Sequence, residues 1–375
     1  MIISSFYPII GGAERIAYEI GRIMVLHGFK VLVLTRQYGH NIPRKEEIDG
    51  INIYRITSSP GKVGALLFIL LSIIYLFRHH KDYDVIHCHT TFSPAIIGVI
   101  ANMLLNKRVI VTVHSGGSGG NIDSSKRLPL IGNLKFLLFR KYVDVFISVN
   151  QQVTEELKSI GIRECNIHTL YNAVDIIRIC PVSRQERERI RAEYGWTGKI
   201  VGIFVGRLDK VKNLDNFLRA AAKSIKQYKQ LHVVFIGDGP ERESLVKLSM
   251  LLGISENTSF LGKQNDVVPY LRGADFFVLP SFREGISMAL LEAMACGLPA
   301  IVTPIGGNLE VIKHKINGIF VPIQDPDKLS EKINLLVSDN TTRLKLGINA
   351  RKTIEQNFNL YELVDHHIEL YRNVP

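Results

Sequence analysis

Strand and helix signals alternate along this chain twice over, and that alternation constrains the fold more than any other feature. In the first half, apolar runs at residues 2–6, 30–35, 51–56, 85–89, 109–114 and 145–149 read as buried strands. Helical segments separate them; one, at residues 14–27, is stopped by Gly28. The second half repeats the theme, with strands expected at 199–205, 232–236, 276–279, 300–303 and 319–321. Strands this uniformly apolar need cover on both faces, and intervening helices supply it. The pattern therefore predicts an α/β chain of doubly wound parallel sheets. A length of 375 residues divides naturally into two such domains, with the boundary expected between about residues 171 and 182.

Charge narrows the partners. Residues 1–170 carry 19 Lys and Arg against 12 Asp and Glu, a balance of +7, out of +11 for the whole chain. A basic first half favours an anionic partner, such as an anionic membrane surface or a lipid-linked phosphate. No basic run interleaved with aromatics occurs, so no nucleic-acid partner is expected. Cys88, Cys165, Cys180 and Cys296 form no Cys-x-x-Cys pair and read as reduced thiols of a cytoplasmic protein. The apolar N-terminus has no basic flank and contains Pro8, so it does not read as a signal peptide. Residues 63–77 are apolar except for Ser72 and are followed by Arg78-His79-His80-Lys81. As a helix, the run is shorter than a bilayer's hydrocarbon core. It fits either a helix packed on a sheet or an in-plane membrane anchor with a basic flank.

The chemistry gathers in the loops after strands of the second half. Glu284 follows the strand at 276–279, and Glu292 stands eight residues on, inside a helix-forming run ended by Gly297 and Pro299. That spacing puts the carboxylates about 10 Å apart along a helix axis. Between them Gly285, Ile286 and Ser287 offer backbone N–H groups at a helix N-terminus, a natural anion site. The order hydroxyl acceptor, anion cradle, hydroxyl acceptor suits a sugar, a diphosphate and a ribose. After the strand at 199–205, Arg207 and Lys212 can converge on one diphosphate, Arg as a fork and Lys as a point charge. In the first half, Gly11-Gly12-Ala13-Glu14 opens a helix after the first strand, and either a tight turn or a close approach to a ligand explains it. His114 ends the strand at 109–114, and a glycine-rich loop at 115–121, basic at Lys126 and Arg127, follows it. His87-Cys88-His89 sets both imidazoles on one strand face but has no further ligands at metal spacing, so no metal site is expected.

These motifs resemble the retaining glycosyltransferases of family 4, which have the GT-B fold. The similarity lies in Glu284 and Glu292 followed by Ala-Met-Ala-Cys-Gly-Leu-Pro, in Gly206-Arg207-Leu208 with Lys212, and in Gly-Gly-x-Glu at 11–14. It extends over essentially the whole chain and is strongest over residues 199–321. One departure is the first strand, which Met1 opens several residues later than is usual in the family. The resemblance implies two Rossmann-like domains, 1–172 and 173–357, facing across a cleft, and a last helix in 358–375 that crosses back to the first domain. It implies transfer of a sugar from a nucleotide-diphosphate-sugar to a hydroxyl acceptor, with retention and with no metal or other cofactor. Arg207 and Lys212 would hold the diphosphate, Glu284 the sugar hydroxyls and Glu292 the ribose. His114 would touch the transferred sugar, Gly12 would line the donor site, and backbone near Gly262 and Lys263 would meet the base. The loops Gly237-Asp238-Gly239-Pro240 and Gly306-Gly307-Asn308 would line the donor side. Another GT-B activity, an epimerase or phosphorylase, or an inactive sugar-nucleotide-binding subunit, is the alternative.

Overall fold

Residues 1–8, 11–38, 42–59, 61–114, 122 and 129–372 are described in a computed structural model of the chain. The chain falls into two units: Met1–Asn172 together with Leu360–Pro375, and Ala173–Asn359.

The first unit runs α1 (Gly12–Leu26), β1 (Val31–Thr35), β2 (Lys45–Ile48), β3 (Ile51–Arg55), α2 (Gly61–Arg78), β4 (Val85–His89), α3 (Ser93–Leu105), β5 (Arg108–Val113), α4 (Pro129–Tyr142), β6 (Val145–Ser148), α5 (Gln151–Ser159) and β7 (Ile167–Thr169). Its strands order as β2-β3-β1 and β4-β5-β6-β7. Ile2 joins the two groups by parallel bridges to Leu34 and Cys88. The Ile2 N–H donates to His87 O at 2.8 Å, and the His89 N–H donates to Ile2 O at 2.9 Å. The expected first strand at 2–6 is therefore a single bridging position, because the backbone leaves the sheet at Ser4 and Ser5. β2 pairs antiparallel with β3. It is half exposed at the sheet edge, and its Lys-Glu-Glu-Ile sequence gave no apolar run to read.

The second unit contains α6 (Arg184–Glu193), β8 (Ile200–Val205), α7 (Leu214–Gln227), β9 (Leu231–Ile236), α8 (Arg242–Leu251), β10 (Thr258–Phe260), α9 (Val268–Gly273), β11 (Phe276–Leu279), α10 (Met288–Ala295), β12 (Ala300–Val302), α11 (Asn308–Val311), β13 (Gly318–Phe320), α12 (Pro326–Ser338) and α13 (Asn340–Asn357). Its six strands are all parallel, in the order β10-β9-β8-β11-β12-β13. β9, β11 and β12 are buried at every position. Phe204, Phe217 and Phe235 are fully buried, and each such side chain contributes roughly 2–3 kcal/mol of apolar burial. Asp275 anchors the entry to β11: it takes hydrogen bonds from Arg187, from Arg191 and from the Val201 N–H.

The last helix, α14 (Leu360–Arg372), belongs to the first unit and packs on α1. Residues 358 and 359 stay with the second unit: Phe358 O accepts the Val174 N–H at 3.0 Å, and Asn359 bridges Val174.

Both sheets reverse direction in the same way. In the second unit the strands added outward from β8 go first toward β10, then toward β13, so β8 and β11 flank the reversal. In the first unit the reversal lies between Ile2 and β4. Loops at the carboxyl ends of strands diverge at such a point and leave a crevice for a ligand.

Candidate active site

The two loops at the reversal of the second sheet are laced together. β8 ends at Val205, and Gly206 turns the chain with φ +154. A short 3-10 turn at Lys210–Lys212 then carries Lys212 toward the end of β11. Val211 O accepts the Phe282 N–H at 2.8 Å, and Asn213 Nδ2 donates to Pro280 O at 3.1 Å. Asn213 has φ +54, a left-handed conformation that asparagine tolerates better than most residues. The result is an ion pair: Lys212 Nζ lies 2.5 Å from Glu284 Oε1. The Glu284 side chain is only 9% exposed and also accepts from Ser281 Oγ at 2.6 Å. A pair this sheltered from water holds both charges in place, and each partner would be costly to leave alone.

Arg207 stands beside this pair with its side chain 72% exposed and its Nε 3.8 Å from Asp209 Oδ2. It is free to turn toward an incoming anion. Lys263 follows β10, is exposed, and adjoins Gly262, whose carbonyl accepts the Gly237 N–H at 2.8 Å. Arg207, Lys212, Lys263, Glu284 and Gly285 thus share the carboxyl edge of one sheet.

The helix behind Glu284 starts later than its sequence suggests. α10 begins at Met288, with Ser287 as its N-cap; the Ser287 hydroxyl accepts the Leu290 N–H at 3.4 Å. Ile286 therefore belongs to the loop with Gly285, although the helix-forming run was expected to begin directly after Gly285. A serine side chain oxygen competes for the helix's own N–H groups and fixes the start where it sits. Glu284 and Glu292 are consequently not related by helical rise alone. Glu292 lies inside α10 and is 1% exposed.

Support for the Glu284 loop comes from Thr303, which the sequence did not single out, and from the Gly306-Gly307-Asn308 loop, which the resemblance put on the donor side. Thr303 Oγ1 donates to Ser281 O at 2.7 Å, and Asn308 Nδ2 donates to Thr303 O at 3.0 Å. Gly306 and Gly307 pass directly under the loop. A Cβ on Gly306 would lie 2.0 Å from Glu284 O, and one on Gly307 would lie 2.5 Å from Ile286 N. These two glycines are a steric requirement of the loop's position. Gly237 is similar, since a Cβ there would lie 1.9 Å from Gly206 O. The resemblance put both glycine loops on the donor side, but nothing in the sequence gave these glycines this steric role.

In the first unit, Gly12 is the first residue of α1 and has open space where a Cβ would point. The crowded glycine is Gly11, whose Cβ would meet Glu14 Oε2 at 2.5 Å. Glu14 accepts the Gly11 N–H at 3.0 Å and the Ser5 hydroxyl, which fixes the turn at the head of α1. His114 stands just past β5, with its Nε2 3.1 Å from His89 Nδ1. His89 stacks on His87 at 4.3 Å between ring centroids. Both nitrogens of His87 are engaged, Nδ1 with the Tyr371 hydroxyl at 2.6 Å and Nε2 with Thr112 Oγ1 at 2.7 Å. The His-x-His pair thus sits in a buried imidazole network. Burial, then neighbouring histidines, push His87 and His89 well below the usual histidine range. His367 of α14 is lowered to about 4 by burial. A small pocket opens among His89, Thr112, His114, Tyr171, Asn172 and His367. The glycine-rich loop at 115–121 and the basic Lys126 and Arg127 after it lie outside the described residues.

The fold and these loops define a class. The chain matches the family Glycosyl transferases group 1 over residues 186–353 and Glycosyltransferase Family 4 over residues 10–178. Spore coat protein SA of Bacillus subtilis is 32% identical over 378 residues, covering 96% of this chain and 94% of that protein. UDP-Gal:alpha-D-GlcNAc-diphosphoundecaprenol alpha-1,3-galactosyltransferase of Escherichia coli is 25% identical over 374 residues, covering 97% and 94%. The crystal structure of Anabaena HepE in complex with UDP-glucose superposes with a TM-score of 0.82 at 20% identity, covering 100% of this chain and 98% of that one. The chain belongs to the group 1 glycosyltransferases and is a transferase enzyme with the GT-B fold.

Proposed function

We propose that this enzyme moves a sugar from a nucleotide-diphosphate-sugar to a hydroxyl acceptor with retention of anomeric configuration, and that it needs no metal ion. The observation that carries this reading is the Lys212–Glu284 pair at the reversal of the second sheet, with Arg207 exposed beside it. A diphosphate leaving group gains negative charge as the glycosidic bond breaks. Arg207 and Lys212 supply fixed positive charge at that point, and loop N–H groups from Gly285 to Ser287 add to it. Donor binding would draw Lys212 toward the diphosphate, and Glu284 would then accept hydroxyls of the sugar in place of the ammonium. Glu292 accepts from the ribose, and backbone near Lys263 meets the base.

The acceptor in this reading is a lipid, or a lipid-linked or cell-surface glycan, met at the cytoplasmic side of a membrane. The basic balance of residues 1–170 supports it, and so does the diphosphoundecaprenol named for the Escherichia coli relative.

A panel of UDP-, GDP- and ADP-sugars, screened by thermal shift and then by donor hydrolysis, tests the reading. One donor should raise the melting temperature and be turned over in EDTA, and the product anomer should keep the donor's configuration by proton NMR. Lys212→Ala and Arg207→Ala should each lower kcat by about 10²–10³, as the loss of a donor to a developing anion does. Turnover abolished by EDTA and restored by magnesium would overturn the metal-free mechanism. Binding without hydrolysis or transfer would favour an inactive sugar-nucleotide-binding subunit.

A further inference from the structure

We propose that the outer face of α2, continued by α3 and α4, docks on an anionic lipid bilayer. α2 is long and apolar, with a mean hydropathy of 1.8 over an 18-residue window, yet only 22% of that window is buried. Its inward face is Gly64, Phe68, Ser72 and Leu76. Its outward face is Val63, Leu66, Leu70, Leu71, Ile74 and Phe77, all exposed, with Leu66 at 68%. A surface helix ordinarily turns charged residues to water, and one that is apolar all round is enclosed by protein or lipid. Here the inward stripe is enclosed by protein and the outward stripe is open. The patch continues across the helix layer. α3 packs on α2 and exposes Met103 and Leu104, and α4 packs on α3 and exposes Leu134 and Leu137.

Charge at the rim selects the occupant. Lys62 stands at one end of the α2 stripe, Arg78 and Lys81 stand at the other with His79 and His80 between them, and Arg140 and Lys141 end α4. The acids nearby are Asp82, bound to His79, with Asp84 and Asp144. Apolar side chains framed by cations fit acyl chains below anionic headgroups. A second copy of the chain would instead set the same basic ends against each other in a two-fold pairing. A span across the bilayer is excluded by topology, because α2 connects β3 and β4 within one continuous sheet. The helix therefore lies in the plane of the surface.

The proposal stands apart from the transferase reading, so the same preparation is assayed for vesicle binding and, separately, for sugar-nucleotide turnover. Purified protein is co-sedimented with phosphatidylcholine vesicles and with vesicles containing phosphatidylglycerol, at low and high salt. Binding should be strong only to the anionic vesicles and should weaken with salt. The pair Leu66→Gln with Leu70→Gln should reduce vesicle affinity by roughly tenfold or more, since two leucines no longer enter the interface. Lys62→Glu with Arg78→Glu should remove the preference for anionic lipid. All four positions are exposed, so the variants should keep the circular dichroism and melting temperature of the parent. Failure to bind either vesicle, binding insensitive to both variants, or a dimer that Leu66→Gln with Leu70→Gln converts to monomer would each overturn the proposal. Vesicle binding without turnover of any sugar nucleotide would support docking and count against the transferase reading alone.

Discussion

His87, His89, His114 and His367 bring four imidazoles into one buried network of the first unit, linked by hydrogen bonds and stacking contacts. Burial, joined at His87, His89 and His114 by repulsion from neighbouring histidines, holds all four below the ordinary histidine range, so they are neutral in the folded protein at pH 7. An unfolded chain takes up protons at about pH 6.5, whereas the folded network resists to a lower pH. The stability contributed by the neutral rings is therefore full above pH 6.5. It is lost as pH falls from there toward the folded value, about 4 for His367. The unfolding free energy should decline through this window by up to about 1.4 kcal/mol per pH unit for each histidine. Urea melts at pH 7.5, 6 and 5 measure it, and His367→Gln should flatten the slope by close to one proton. A free energy constant from pH 7.5 to 5 would show that the network ionises as freely as an unfolded chain.

The element that decides the site is the Glu284–Ser287 loop, whose position depends on β11, on β12 and on the glycine pair beyond β12. Gly307→Ala would set a methyl 2.5 Å from backbone atoms of Gly285 and Ile286. Backbone at both sides of the contact leaves nothing soft to yield, so the loop must move and carry Glu284 from Lys212. A displacement of this order in a catalytic group costs on the order of 10²-fold in rate. The expected result is kcat/KM lower by about that factor with the second unit still folded. Steady-state kinetics beside a thermal melt decide it, and an unchanged kcat/KM would mean the loop tolerates the methyl group.

At the scale of the molecule, α14 follows the second unit along the chain but belongs to the first. Leu360, Leu363, Val364 and Ile368 are buried, and Tyr371 engages His87. Removing residues 360–375 should strip the first unit of a core wall and leave the second, 173–359, intact. Calorimetry should then show the transition of the first unit lost or shifted down by several degrees, with the second unit's transition retained. If both transitions survived unchanged, α14 would contribute no stability to the first unit.

Several features were legible in the sequence because they are local. Apolar runs such as 232–236 and 276–279 announce buried strands, and glycines, charges and carboxylates after them mark where loops gather at the sheet edge. Arg207, Lys212 and Glu284 could be chosen on that basis. The pairing of Lys212 with Glu284 joins residues 72 apart in the chain, and no periodicity encodes it. Ser281 and Thr303 acquire their roles from hydroxyl hydrogen bonds, and Gly306 and Gly307 from close backbone approaches, that only packing sets. The start of α10 turned on a cap geometry that a helix-forming run conceals. Residues 63–77 are the clearest division between the two kinds of information. Their composition dictates a helix with no polar face, and for that reason carries no signal of which side turns inward. Packing against α3 and the sheet made that choice and left six apolar side chains facing out.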